Sequence, residues 1–216
     1  MVTFVKVKEQ HENIIIVGSS PEAQSYYKHK DWTTIAVNGA IDICKNDADY
    51  WFTLDPGSEN LERMLNRHRY PNTIFYAAVP ETIETSEAPV PYMRRKFPKN
   101  IRYLKRSTID CGLSKDKGII HTGNSAFGAL GLAYHMGAKN VILLGVNGDT
   151  GKRFDGSNCA GSIEHLPKLF ESAVYNDQMT IYNGNINSKI ECFPKFDFTI
   201  EGYLGINCLQ MDLDCL

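Results

Sequence analysis

The chain has 216 residues, 43% of them hydrophobic and 22% charged, with a formal net charge of −2. These values suit a single globular domain that buries a sizeable core, and they give no global pull toward nucleic acid or an anionic membrane. No apolar run reaches the roughly 20 residues of a membrane span, and the N-terminal MVTFVKVKEQHEN lacks the apolar segment of a secretory signal, so a cytoplasmic protein is expected.

In chain order, Asn13 to Val17 (NIIIV) is a short continuous apolar run and predicts a strand buried on both faces. Gly18-Ser19-Ser20-Pro21 follows, where Ser20 can cap a helix that begins at Pro21 and runs to about His29. Thr33 to Val37 predicts a second strand ending in Asn38-Gly39, with a short helix over Ala40 to Cys44. Tyr50 to Leu54 predicts a third strand, ending in Asp55-Pro56-Gly57. A polar helix follows over Ser58 to Arg67, then a fourth strand over Thr73 to Val79.

From Pro80 to Lys117 the pattern weakens into an irregular insertion with one short strand at Ile101 to Leu104. The insertion carries a basic cluster: Arg94, Arg95, Lys96, Lys99, Arg102, Lys105 and Arg106. Such a cluster could bind phosphates or an anionic acceptor, but a solvated basic face is the plainer reading. A polar turn, His121 to Ser125, then opens a helix over Ala126 to Met136 that Gly137 stops. Val141 to Leu144 predicts a buried strand, which ends in Gly145-Val146-Asn147-Gly148-Asp149. A polar loop over Lys152 to Gly161, a helix over His165 to Tyr175 and a strand over Thr180 to Tyr182 complete the pattern.

Strands alternating with helices imply an α/β fold. The expectation is a Rossmann-like, mostly parallel sheet with helices on both faces, a single domain over 1–216 with the irregular basic insertion at 80–117. In such sheets a ligand lies beyond the C-terminal ends of the strands. Five of those ends carry Gly, Ser, Asn or Asp: Gly18-Ser19-Ser20, Asn38, Asp55, Gly145-Asn147-Asp149 and Asn183-Asn187. Together they describe the floor of one cleft.

The chemistry follows from residue type. Helix starts at Gly18-Ser19-Ser20 and Thr122-Gly123-Asn124-Ser125 suit phosphate, because exposed N–H groups meet the anion there. Asn38 can read a base or ribose, Asp55 can hold ribose hydroxyls or a metal, and Asp149 and Asp155 can hold Mg²⁺ or take up an acceptor hydroxyl proton. His165, at a helix start after a glycine-containing loop, and Asp155 are the candidate general bases. His11, His29 and His68 read as surface residues, and His135 as a helix C-terminal histidine. Six cysteines (Cys44, Cys111, Cys159, Cys192, Cys208 and Cys215) are scattered with no CxxC pair. They fit reduced thiols, and zinc is not expected.

The succession IIIVGSSPEAQ, TIAVNGA, DYWFTLDP, HTGNSAFGALGLAYHMGAKNVILLGVNGD and IYNGNINSKIECFPK resembles a superfamily. It holds the small bacterial lipooligosaccharide sialyltransferases and the archaeal 6-hydroxymethylpterin diphosphokinase-like proteins. The sialyltransferase branch implies a nucleotide-sugar donor held by Gly18, Ser19, Ser20, Asn38, Thr122, Gly123, Asn124 and Ser125, with Gly145 beneath the nucleotide. It implies a lid that begins at Arg153-Phe154-Asp155 and His165 as the catalytic histidine. The other branch implies Mg-ATP-dependent pyrophosphoryl transfer. A nucleotide-sugar-dependent glycosyltransferase is therefore expected, with a pterin-type pyrophosphokinase or a non-catalytic nucleotide-binding protein as alternatives. The acceptor, whether glycan, metabolite or modified nucleic-acid base, stays open, as does a homo-oligomer.

Overall fold

The structure is a computed structural model that describes residues 2–81, 98–149, 151–158 and 164–195. Among these, eight strands form one sheet: β1 (Asn13–Val17), β2 (Thr33–Val37), β3 (Tyr50–Thr53), β4 (Ile74–Val79), β5 (Arg102–Arg106), β6 (Ile119–Ile120), β7 (Asn140–Leu144) and β8 (Thr180–Asn183). Their spatial order is β6-β5-β4-β3-β2-β1-β7-β8, and every pairing is parallel. The chain runs outward from β1 to β6, then crosses back to place β7 against the free side of β1. The order reverses at β1/β7, which makes that seam the switch point of a Rossmann-like α/β fold.

Side chains along each strand alternate between two cores, as the pleat requires. On one face Ile14, Ile16, Ile35, Val37, Tyr50 and Phe52 meet helix α3 (Ser125–His135) and helix α4 (Leu166–Glu171). On the other, Ile15, Val17, Trp51 and Phe75 meet Ala40, Ile41, Cys44 and Met64. The last three belong to helices α1 (Ile41–Cys44) and α2 (Ser58–Leu65). Each fully buried aliphatic or aromatic side chain contributes about 1.5–3 kcal/mol. Burial on both faces is why the strands read as continuous apolar runs.

Two expectations change. The helix after β1 is a single 3-10 turn, Pro21–Ser25, and Ser20 makes no side-chain cap. The chain leaves it extended at Tyr26, whose hydroxyl bonds Thr34 Oγ1 at 2.9 Å, and Lys28 pairs with Asp49. Tertiary contacts to β2 and its neighbours thus override the local helical pattern. Within the described part of the insertion, 98–117, the one expected strand is present as β5, shifted to Arg102–Arg106. β5 lies between β4 and β6 within the sheet, and β6 is a strand the sequence pattern did not mark.

Three members of the basic cluster have structural duties. Arg102 pairs with Glu9 and lies 5.4 Å from the Tyr76 ring, Lys105 pairs with Glu81, and Arg106 Nη1 donates to the Leu54 carbonyl at 2.7 Å. Arg94, Arg95, Lys96, Cys159, Cys208, Cys215 and the chain after Lys195 lie outside the described residues. Among those described, no helix is long and apolar enough to cross a membrane.

Candidate functional site

A cleft of about 240 Å³ opens over the β1/β7 switch point. Gly18, Ser19 and Ser20 after β1, Asn38 after β2, Asp55 after β3 and Gly145 to Asp149 after β7 line it. The start of α3 (Asn124 to Ala126) and the loop residues Lys152 and Arg153 complete the wall. Most of the residues expected from sequence therefore converge.

The floor is built by two loops in direct contact. Gly18 N–H donates to the Leu144 carbonyl at 2.8 Å, and Ser20 N–H to the Gly145 carbonyl at 3.0 Å. A Cβ on Gly18 would lie 2.3 Å from the Gly145 oxygen, so glycine here serves the approach of the two loops. Gly145 has φ +67°, and a Cβ on it would lie 2.7 Å from Ala23 Cβ. Because the turn after Gly18 is so short and the Ser20 amide is already bonded, the stronger helix terminus in the cleft is that of α3.

At that terminus Asn124 Oδ1 accepts the Ala126 N–H at 2.7 Å, a capping bond worth about 1 kcal/mol. Asn124 Nδ2, which has no partner among the described residues, is left for the cleft. Ser125 Oγ accepts from Leu54 N–H at 3.1 Å and ties α3 to the end of β3. Thr122 and Gly123 do not line the cleft. The Thr122 N–H donates to the Ile109 carbonyl at 2.8 Å, and Gly123 packs against Leu169 of α4. The expected nucleotide turn is thus divided: its second half faces the cleft, its first half braces α4.

Asn147 lines the cleft, but both ends of its amide are engaged. Its Nδ2 donates to Glu22 Oε2 at 2.8 Å, and its Oδ1 accepts from Asn185 Nδ2. It is a strut between the β1 and β8 loops. Asn183 and Asn185 are buried behind it and do not reach the cleft wall.

The loop over residues 151–158 crosses the cleft mouth. Phe154 N–H donates to the Ser19 carbonyl at 2.8 Å, and Gln24 Nε2 to the Phe154 carbonyl at 3.1 Å. This brings Lys152 and Arg153 to the wall. Arg153 Nε is shielded from solvent without a hydrogen-bond partner, and its guanidinium pairs with no carboxylate among the described residues. A guanidinium beside a cleft with one shielded, unpartnered N–H is suited to contact an anion. Sequence reasoning gave Arg153 only as the start of a lid and gave Lys152 no role, although a Lys-Arg pair directly after the β7 loop was the available signal for an anion contact.

The two candidate bases lie outside the cleft lining. Asp155 is exposed at the loop tip. Its carboxylate accepts from Ser157 Oγ at 2.6 Å and Ser157 N–H at 2.9 Å, which holds its pKa below the usual carboxylate range and weakens it as a base. His165 is exposed at the start of α4, and its Nε2 lies 3.3 Å from the Gly123 carbonyl. A carbonyl only accepts, so that contact makes Nε2 the protonated nitrogen and leaves Nδ1 as the basic one. Its neighbour Leu166 lines the cleft.

Three other histidines, His11, His121 and His135, are structural. His121 Nδ1 faces the Cys111 carbonyl at 2.9 Å. His11, expected at the surface, is partly buried between Tyr50 and Thr33. His135 is 1% exposed with its Nε2 on the Ser114 carbonyl at 2.8 Å. Burial lowers the pKa of both His11 and His135. Among the described residues no group of three His, Cys, Asp or Glu side chains is placed to hold a metal ion, although Asp55 and Asp149 both reach the cleft.

Among solved structures the chain has distant likenesses. The sialyltransferase CstII from Campylobacter jejuni, in complex with the substrate analogue CMP-3FNeuAc, matches with a TM-score of 0.44 and 11% identity, over 91% of this chain and 99% of that one. No family model and no curated protein matches the chain. So remote a likeness assigns no residue here a role, and the site stands on its own geometry.

Proposed function

We propose that the protein is a transferase that binds a nucleotide-activated sugar in this cleft and passes the sugar to a hydroxyl acceptor. The observation that carries the reading is the polarity of the wall at the switch point. Asn124 Nδ2, the first turn of α3, Lys152 and Arg153 all offer donors or positive charge. A phosphate-bearing ligand has the complementary row of acceptors. Asp55 and Asp149 supply the acceptors that sugar or ribose hydroxyls need.

In the reaction, Nδ1 of His165 takes the proton of the acceptor hydroxyl. The oxygen attacks the anomeric carbon, and the bond from that carbon to the phosphate oxygen breaks with its electron pair on the phosphate. Lys152, Arg153 and the α3 terminus stabilise that charge. This requires an acceptor seated at the rim beside α4. Incubation with CMP-, UDP- and GDP-sugars, followed by detection of freed nucleotide, tests the reading. Release that falls at least a hundredfold in His165→Ala supports it, and no release from any donor contradicts it.

A second reading, a nucleotide-binding protein without turnover, is favoured by one observation: neither His165 nor Asp155 lines the cleft. Tight nucleotide binding without turnover would select it.

A further inference from the structure

Asn38 stands at the end of β2 with φ +52°, a left-handed conformation that asparagine tolerates better than most residues. Its carbonyl accepts from Trp51 Nε1 at 2.8 Å, which fixes the backbone. Its side chain lies beside Asn60 of α2, which is only 8% exposed. The orientation of the Asn60 amide follows from its partners. Arg63 Nη1, which can only donate, lies 3.3 Å from Oδ1, and the Asp55 carbonyl, which can only accept, lies 2.8 Å from Nδ2. Arg63 is itself held by Asp42. The remaining hydrogen on Asn60 Nδ2 faces Asn38 Oδ1 and Thr53 Oγ1, each at 3.2 Å. The atom of Asn38 nearest Asn60 must then be the acceptor. Asn38 Nδ2, with no partner among the described residues, is left for the cleft that Asn38 lines.

We propose that Asn60 is a specificity-determining positioning residue. It holds Asn38 with its N–H₂ toward the ligand, so this end of the cleft takes a hydrogen-bond acceptor, a carbonyl oxygen or an unprotonated ring nitrogen of the nucleotide, and rejects an N–H donor. The inference rests on the nucleotide reading above. A polarity fixed through buried partners discriminates strongly, because the wrong ligand leaves two donors facing each other. Nothing in the local pattern of SENLERML singles out Asn60.

The experiment titrates CMP, UMP, GMP, AMP and inorganic pyrophosphate by calorimetry. Asn60→Asp replaces the donor with an acceptor, so Asn38 turns its N–H₂ inward and shows Oδ1 to the cleft. The nucleotide that the native protein binds most tightly is expected to weaken at least tenfold in Asn60→Asp, while pyrophosphate changes less than twofold. Asn38→Asp, at a partly exposed position, inverts the polarity directly and gives the same pattern should Asn60→Asp not fold. In an Asn38→Ala background the Asn60→Asp change adds less than twofold, because Asn60 acts through Asn38. Equal weakening of nucleotide and pyrophosphate, no weakening in Asn38→Asp, or an Asn60→Asp effect that persists in Asn38→Ala would each overturn the assignment while leaving nucleotide binding intact. Failure of the native protein to bind any nucleotide would overturn both.

Discussion

Replacing Gly18 with alanine probes the contact on which the cleft floor depends. The added Cβ would sit 2.3 Å from the Gly145 oxygen and 2.8 Å from Val146 Cγ2. The nearer contact is about 1 Å short of the roughly 3.5 Å at which such atoms rest. Both neighbours belong to the β7 loop, so relief requires the β1 and β7 ends to part. Overpacking of this kind costs about 1–3 kcal/mol. Parting also strains the Gly18-to-Leu144 and Ser20-to-Gly145 hydrogen bonds, each worth about 1 kcal/mol. The sum is about 3–5 kcal/mol, or a fall in Tm of roughly 6–20 °C at about 2–4 °C per kcal/mol for a chain of this size. Gly156→Ala is the control. Gly156 has φ +80° but nothing within 4 Å of its Cβ position, so only left-handed strain of about 1–2 kcal/mol applies. Thermal unfolding followed by circular dichroism compares the two. A Gly18→Ala protein that melts no lower than Gly156→Ala would refute the packed two-loop floor.

Arg153→Met should move stability and binding in opposite directions. Removing an unpartnered, solvent-shielded donor raises Tm by about 2–4 °C for each kcal/mol recovered, whereas nucleotide affinity drops tenfold or more, as loss of a charged hydrogen bond of about 1.5–3 kcal/mol implies. A parallel fall in both would show that Arg153 is structural. Stability should also decline as pH falls from 7 to 5. Burial favours the neutral rings of His11 and His135 in the folded state, so the unfolded chain takes up protons first as pH drops below about 6.5 and unfolding gains. The hydrogen bond to the Ser114 carbonyl and then the charge of Asp116 raise the His135 pKa and soften the effect. Urea midpoints across this range should flatten in part in His135→Gln and in His11→Gln, and an unchanged slope in both would disprove the assignment.

Much of the sheet was legible because its strands are buried on both faces. Runs such as NIIIV and NVILL have no other plausible home, and β1 and β2 have the bounds the sequence predicted. The turn after β1 was not legible, since what ends it is Tyr26 reaching Thr34 and Lys28 reaching Asp49, contacts made in space. β6 has two residues and gains its identity only by pairing with β5.

The site divides in the same way. Residue type and position at a strand end marked Gly18, Asn38, Asp55 and Gly145, and position at a helix start marked Asn124, all of which line the cleft. Hydrogen-bond direction, which sequence does not carry, decided that Asn147 is a strut and that Asn38 faces the cleft as a donor. Arg153 was legible only as the start of a lid, because the missing partner of its Nε is a fact of packing that sequence does not carry.

Calorimetric titration of the native chain with CMP, UDP, GDP and ATP, with and without a chelator, tests the central claim most directly. A donor-lined cleft over the β1/β7 switch point predicts that at least one nucleotide binds with one-to-one stoichiometry, that chelation leaves the affinity unchanged, and that Arg153→Met weakens it. Heat changes absent for all four nucleotides would contradict it.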